Sequence, residues 1–191
     1  ILISEGKSEL IVNKSKFIGY SVIANSREGF LARLREIRIN NPSAGHAVYG
    51  LLIKKNTIEP HFSDDGEPSG TGGRPLINIL ETKKIINGGL VVVRYYGGIN
   101  LGMGGLARAY SQAGSKAILA SRLDNFIELY DYILTIKYSS LDFISKVILD
   151  NKGVILDRNF DQNIILKIRV STSTKGLIEK KFPTTKIQSL V

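Results

Sequence analysis

Residues 62–80 read FSDDGEPSGTGGRPLINIL, and residues 88–120 read GGLVVVRYYGGINLGMGGLARAYSQAGSKAILA. Each contains a glycine-rich loop that opens into a helical pattern, and a hydrophobic strand separates the two loops. Glycine admits φ > 0 and lets the backbone approach a neighbour closely. Consecutive backbone N–H groups ahead of a helix form an anion-binding concavity. From Thr82 to Leu123 there is no Asp or Glu, while Lys83, Lys84, Arg94, Arg108, Lys116 and Arg122 are present. Glycine, aromatic side chains and unopposed positive charge coincide here, which points to a phosphate-bearing partner.

Working outward, residues 9–12 and 16–23 read as strands. Ser26 reads as the N-cap of a helix to about Asn40, with Phe30, Leu31, Leu34 and Ile37 on its apolar face. Asn41-Pro42 stops it. Residues 46–53 and 57–62 form a hairpin. Pro75 suits the first position of a helix reaching about Ile86. Residues 90–95 are the most hydrophobic strand and the expected centre of a sheet. A long helix opens at Gly105 or Leu106 and runs to about Ser121. Its small residues Ala107, Ala109, Ala113, Gly114 and Ala117 permit close packing. The order then becomes strand 128–137, helix 141–152, strands 153–159 and 162–170, helix 175–182 and strand 185–190. That βαββαβ order is a split-βαβ, ferredoxin-like module, and the boundary before it lies near Leu123–Phe126.

The chain has 191 residues, enough for one large domain or two small ones. It has no cysteine, so disulfides, thiolate catalysis and Cys-type zinc sites are excluded. No apolar run reaches the roughly 18 residues of a membrane span, and no signal-peptide pattern is visible. A cytoplasmic location and no membrane partner are expected. Net charge is +9; residues 1–125 carry 16 Lys+Arg against 10 Asp+Glu, hence +6, and residues 126–191 carry 10 against 7, hence +3. That balance favours anionic partners, nucleic acid first, although a Lys- and Ile-rich proteome gives basic proteins without such a role.

Three groups of residues can carry chemistry. Asp64, Asp65 and Glu67 lie within four positions of one loop. They either bind a divalent cation or act as acid and base, or they brace the loop, with Arg74 and Arg94 as ion-pair partners. His46 and His61 end two predicted strands near that loop, where a two-His metal site with Asp64 or Asp65 competes with simple hydrogen bonding at a strand edge. Gly102-Met103-Gly104-Gly105-Leu106-Ala107 fits the GxGxxA dinucleotide pattern, but Gly97-Gly98 breaks the chain before it and no acidic residue ends the following strand. Tyr95 and Tyr96 beside Arg94 are the elements of stacking and phosphate contact on single-stranded nucleic acid.

FSDDGEPSGTGGRP at 62–75, VVVRYYGGINLG at 91–102 and GGLARAY at 104–110 resemble, in order and without gaps, the signature of the YigZ/IMPACT family. The resemblance covers the whole chain. It implies α+β architecture in two domains. Residues 1–125 are similar to the IMPACT N-terminal domain, with the fold of the second domain of a small-subunit ribosomal protein. Residues 126–191 are similar to the ferredoxin-like C-terminal domain of elongation factor G. Eukaryotic IMPACT regulates translation by competing for the activator of a starvation-responsive kinase, and RNA or ribosome association is the usual inference for bacterial members. Where the family often has His-x-Cys, this chain has His46, Ala47 and Val48, so a thiol-dependent activity is ruled out here.

These readings lead to an expectation of a two-domain regulator of translation that binds RNA or a ribosomal or translation-factor surface, without a cofactor or catalytic residues. Arg74, Arg94, Tyr95, Tyr96, Gly97, Gly98, Gly102, Gly104, Gly105 and Arg108 form the expected nucleic-acid or phosphate surface, with Asp64, Asp65 and Glu67 as brace or cation site. The rivals are an enzyme acting on a phosphorylated small molecule or nucleotide at loop 98–106 and a protein-binding regulator that touches no nucleic acid. A deep pocket beside the loop favours the enzyme, and a broad basic face favours RNA.

Overall fold

The computed structural model describes residues 1–190. The chain divides into two compact units, Ile1–Phe126 and a second that begins at Ile127.

The first unit is built on a five-stranded antiparallel sheet. Its strands are β2 (Lys7–Val12), β3 (Ser15–Ile23), β4 (His46–Lys54), β5 (Ile58–Ser63) and β6 (Gly88–Tyr95), in the spatial order β2-β3-β6-β4-β5. A two-stranded ladder joins β1 (Leu2–Ser4) to β7 (Arg122–Leu123), and the Asp124 amide donates to the Ile1 carbonyl at 3.0 Å. Strand β6 is central and buried on both faces, which is why its sequence is a continuous apolar run rather than an alternation. Side chains of a strand point alternately to its two faces. Val91 and Val93 pack under α1 (Arg27–Ile39) with Phe30, Leu34 and Ile37. Leu90 and Val92 face the core shared with α2 (Gly73–Thr82) and α3 (Gly102–Leu119). Within that core, Phe17 meets the ring of Tyr110 edge-on at 5.2 Å, a favoured aromatic geometry.

Helix α1 begins as the sequence predicts, with Ser26 Oγ accepting from the Gly29 amide at 3.1 Å. The other two helices differ from expectation. Helix α2 starts at Gly73, two residues before Pro75, and ends at Thr82 rather than near Ile86. Lys84 and Asn87 both take φ of 52°, which turns the chain out of the helix. Helix α3 starts at Gly102 rather than at Gly105 or Leu106, so Gly104 belongs to its first turn instead of preceding it.

The second unit contains β8 (Tyr130–Ile136), α4 (Leu141–Asp150), β9 (Val154–Phe160), β10 (Ile164–Val170), α5 (Thr172–Lys181) and β11 (Lys186–Ser189). Its sheet order is β11-β8-β10-β9 with every neighbour antiparallel, which is the split-βαβ arrangement. Leu134, Leu166, Ile144 and Ile148 fill its separate core. Both units are mixed α and β.

Candidate functional site

The two glycine loops of the first unit have different structures. The loop before α2 is closed by its own carboxylate. Asp64 Oδ1 accepts from the Gly72 and Gly73 amides, and Oδ2 accepts from the Gly70 amide, each at 2.8 Å. These include N–H groups that a helix start leaves unpaired, so Asp64 caps α2 from eight residues upstream. Partial burial pushes its pKa up, but the three N–H groups outweigh burial and hold it below the ordinary carboxylate value. Here glycine is required by packing: a Cβ on Gly72 would lie 2.5 Å from Val48 Cγ1.

Asp65 and Glu67 turn to different partners. Asp65 takes φ of 48°, a conformation that Asp tolerates better than most side chains. Its carboxylate accepts from the Ala47 amide at 2.6 Å and pairs with Arg38 of α1. The His46 Nδ1–H donates to the Asp65 carbonyl at 2.8 Å. Glu67 is buried, and its Oε1 accepts from Arg94 Nη1 and from the Tyr110 hydroxyl, both at 2.7 Å. Burial and this bond to Glu67 push the Tyr110 pKa far upward, so Tyr110 stays a proton donor. Among the described residues no group of three His, Cys, Asp or Glu side chains converges as a metal site requires. His61 lies instead beside Glu59 on β5.

Two of the residues expected to contact a partner are occupied inside the fold. Arg94 has the same parity as Leu90 and Val92, so it points under α3; it is 5% exposed. Its guanidinium lies 5.5 Å from the Phe17 ring centroid and 5.3 Å from that of Tyr96, and its Nη2 reaches Ser15 Oγ at 3.5 Å. Its charge is thus spent on Glu67 rather than on a surface phosphate. Tyr95 has the parity of Val93 and packs on the α1 side, where its hydroxyl donates to Asn41 Oδ1 at 2.9 Å.

The loop before α3 is open. Leu101, its N-cap, makes no side-chain capping bond, and the first turn carries no acidic residue. Gly97 is held, because its amide donates to Ser15 Oγ at 3.1 Å and a Cβ there would strike the Lys14 backbone. Gly98 (φ 82°) and Gly102 (φ 65°) need glycine for their backbone angles, yet each faces open space. At Gly104 a Cβ would meet only Arg108 Nη1, at 3.5 Å, so internal packing does not account for glycine there. Tyr96, Ile99 and Met103 are exposed around the loop. Arg108 continues from it into an open groove of about 570 Å³ between α2 and α3. Asn78, Thr82, Lys83, Ser111 and Gln112 also line the groove, and no carboxylate does. Arg74 is exposed at the start of α2. The structure therefore leaves Arg74, Tyr96, Gly98, Gly102, Gly104 and Arg108 accessible, and Gly97 and Gly105 half-buried.

Tyr110 and Arg38 were not singled out in the sequence. One signal for Tyr110 was available: it is the only polar side chain in the buried stripe Leu106, Ala109, Tyr110, Ala113, Ala117, and a buried hydroxyl needs a partner. Arg38 gave no such signal among the arginines of α1.

The Impact N-terminal domain matches residues 13–118. The chain belongs to the IMPACT family. An IMPACT family member of Haemophilus influenzae is 33% identical over 165 residues, covering 85% of this chain and 80% of that protein. The IMPACT family member YigZ of Escherichia coli is 30% identical over 159 residues, covering 82% and 78%. A crystal structure described as that of a hypothetical protein superposes with a TM-score of 0.71 at 25% identity, covering 100% of this chain and 96% of the other. The matched IMPACT segment contains both glycine loops, Glu67, Arg94 and Tyr110. Among the described residues no helix is long and apolar enough to cross a membrane.

Proposed function

We propose that this IMPACT-family chain regulates translation by binding RNA, with the open loop 97–105 and the adjoining groove between α2 and α3 as its phosphate-contacting surface. The observation that carries the reading is Gly104. Glycine inside a helix costs up to roughly 1 kcal/mol relative to alanine; Gly104 is the third residue of α3, and no neighbouring atom requires glycine there. Space kept free over the amides of a helix start suits the close approach of an anion. Arg108 beside that turn and Lys83 in the groove supply the charge, and no carboxylate in the groove opposes them. The translational part of the proposal rests on the family resemblance. To it belong a cytoplasmic location and the likeness of the two units to a ribosomal-protein domain and to the C-terminal domain of elongation factor G.

The test is binding of single-stranded RNA across a salt series. Log affinity should fall linearly with log salt, at a slope of about −0.7 per phosphate contact. Arg108→Ala should weaken binding and flatten the slope by about 0.7. Affinity indifferent to salt and to this substitution overturns the proposal and points to a protein or small-molecule partner.

A further inference from the structure

We infer that Tyr96 is a preset stacking platform for an unpaired nucleobase, backed from inside the protein by Arg94. The inference rests on the proposal that the loop face takes nucleic acid, and it narrows the ligand to a strand with accessible bases. Tyr96 is 56% exposed although it adjoins the most buried strand of the first unit. Behind its ring the Arg94 guanidinium sits 5.3 Å from the centroid. That guanidinium cannot swing away: Glu67 holds Nη1 at 2.7 Å, Ser15 contacts Nη2, and the Phe17 ring lies 5.5 Å from it. Arg94 Nε is buried without a hydrogen-bond partner, while the guanidinium carbon lies 5.5 and 5.3 Å from the Phe17 and Tyr96 ring centroids. The outer end of Tyr96 is also fixed, since its hydroxyl donates to Asn100 Oδ1 at 3.2 Å.

A ring anchored at both ends has little ordering left to lose on binding, which is what makes a contact group effective. With its inner face covered by the Arg94 guanidinium, the ring leaves its outer face for an unpaired base, whose own π-face stacks on it. Exposed Ile99 in the following loop and Met103 in the first turn of α3 extend an apolar rim beside the platform. A base on Tyr96 would leave its own backbone beside the open amides of the α3 start.

The experiment compares two fluorescein-labelled probes, a single-stranded oligoadenylate and a strand of equal length and charge made of abasic residues, each titrated against the full chain. The parent should bind the oligoadenylate about ten-fold or more tighter than the abasic strand. Tyr96→Ala should abolish that preference while leaving abasic affinity unchanged. Tyr96→Phe, which loses only the Asn100 bond, should keep it. A preference that survives in Tyr96→Ala, or an equal loss on both probes, overturns the platform and leaves the phosphate surface standing. Failure of the parent to bind either probe overturns both.

Discussion

The loop before α2 and the loop before α3 look alike in sequence, since each places several glycines ahead of an apolar helix. In the first, every glycine amide facing the helix start is taken by Asp64, and a Cβ on Gly72 would strike Val48. In the second, neither a side chain caps the helix nor a neighbour crowds Gly104. Glycine richness thus has two physical meanings. One loop uses it to fit the protein against itself, and the other to stay uncovered.

Substitutions can break this contrast, and the largest effect is expected in the closed loop. Glu67→Ala leaves the buried Arg94 charge and the Tyr110 hydroxyl without their acceptor, and should cost about 3–5 kcal/mol by chemical denaturation. Arg108→Ala, on α3 just beyond the open loop, should stay within about 0.5 kcal/mol. Comparable losses for the two would erase the distinction. Gly72→Ala comes next, at about 1–3 kcal/mol, because the valine beside it must move within a packed core.

Asp64→Ala should cost about 1–2 kcal/mol through loss of the cap, and its effect should depend on pH. The folded pKa of Asp64 lies below the ordinary 3.8. Its contribution is therefore complete above that value and is lost as pH falls through the lower folded one. The stability gap between parent and Asp64→Ala should be constant near neutrality and shrink on acidification below about pH 4. A gap that widens on acidification would contradict the capping role. The last effect has the opposite sign. Gly104→Ala should stabilise the protein by about 0.5–1 kcal/mol while weakening RNA binding. Destabilisation there would mean that the open loop is packed after all.

Much of this architecture was legible in the sequence. The helical period of Phe30, Leu34 and Ile37, and the βαββαβ order of elements read from residue 128 onward, are local patterns. The inward turn of Arg94 was not legible. In a strand buried on both faces the parity of a polar residue does not separate interior from surface, and its partner Glu67 lies 27 residues away. Asp64 was legible as a loop carboxylate but not as a cap, because the usual signature places the capping residue next to the helix and here eight residues intervene. The accessibility of Tyr96 against the burial of Arg94 followed only from the end of the strand, which the sequence located without its orientation.

The ladder between β1 and β7 has a mechanical consequence. Leu2 pairs with Leu123, and the Asp124 amide reaches the Ile1 carbonyl, so the first unit is entered and left at one point. Tension applied between residues 1 and 126 would load those few bonds one after another, as a zipper opens, before any force reached the five-stranded sheet. For the same reason the unit forms a nearly closed ring of chain, in which residues 1 and 126 can be joined by a short linker and new ends cut in an exposed turn.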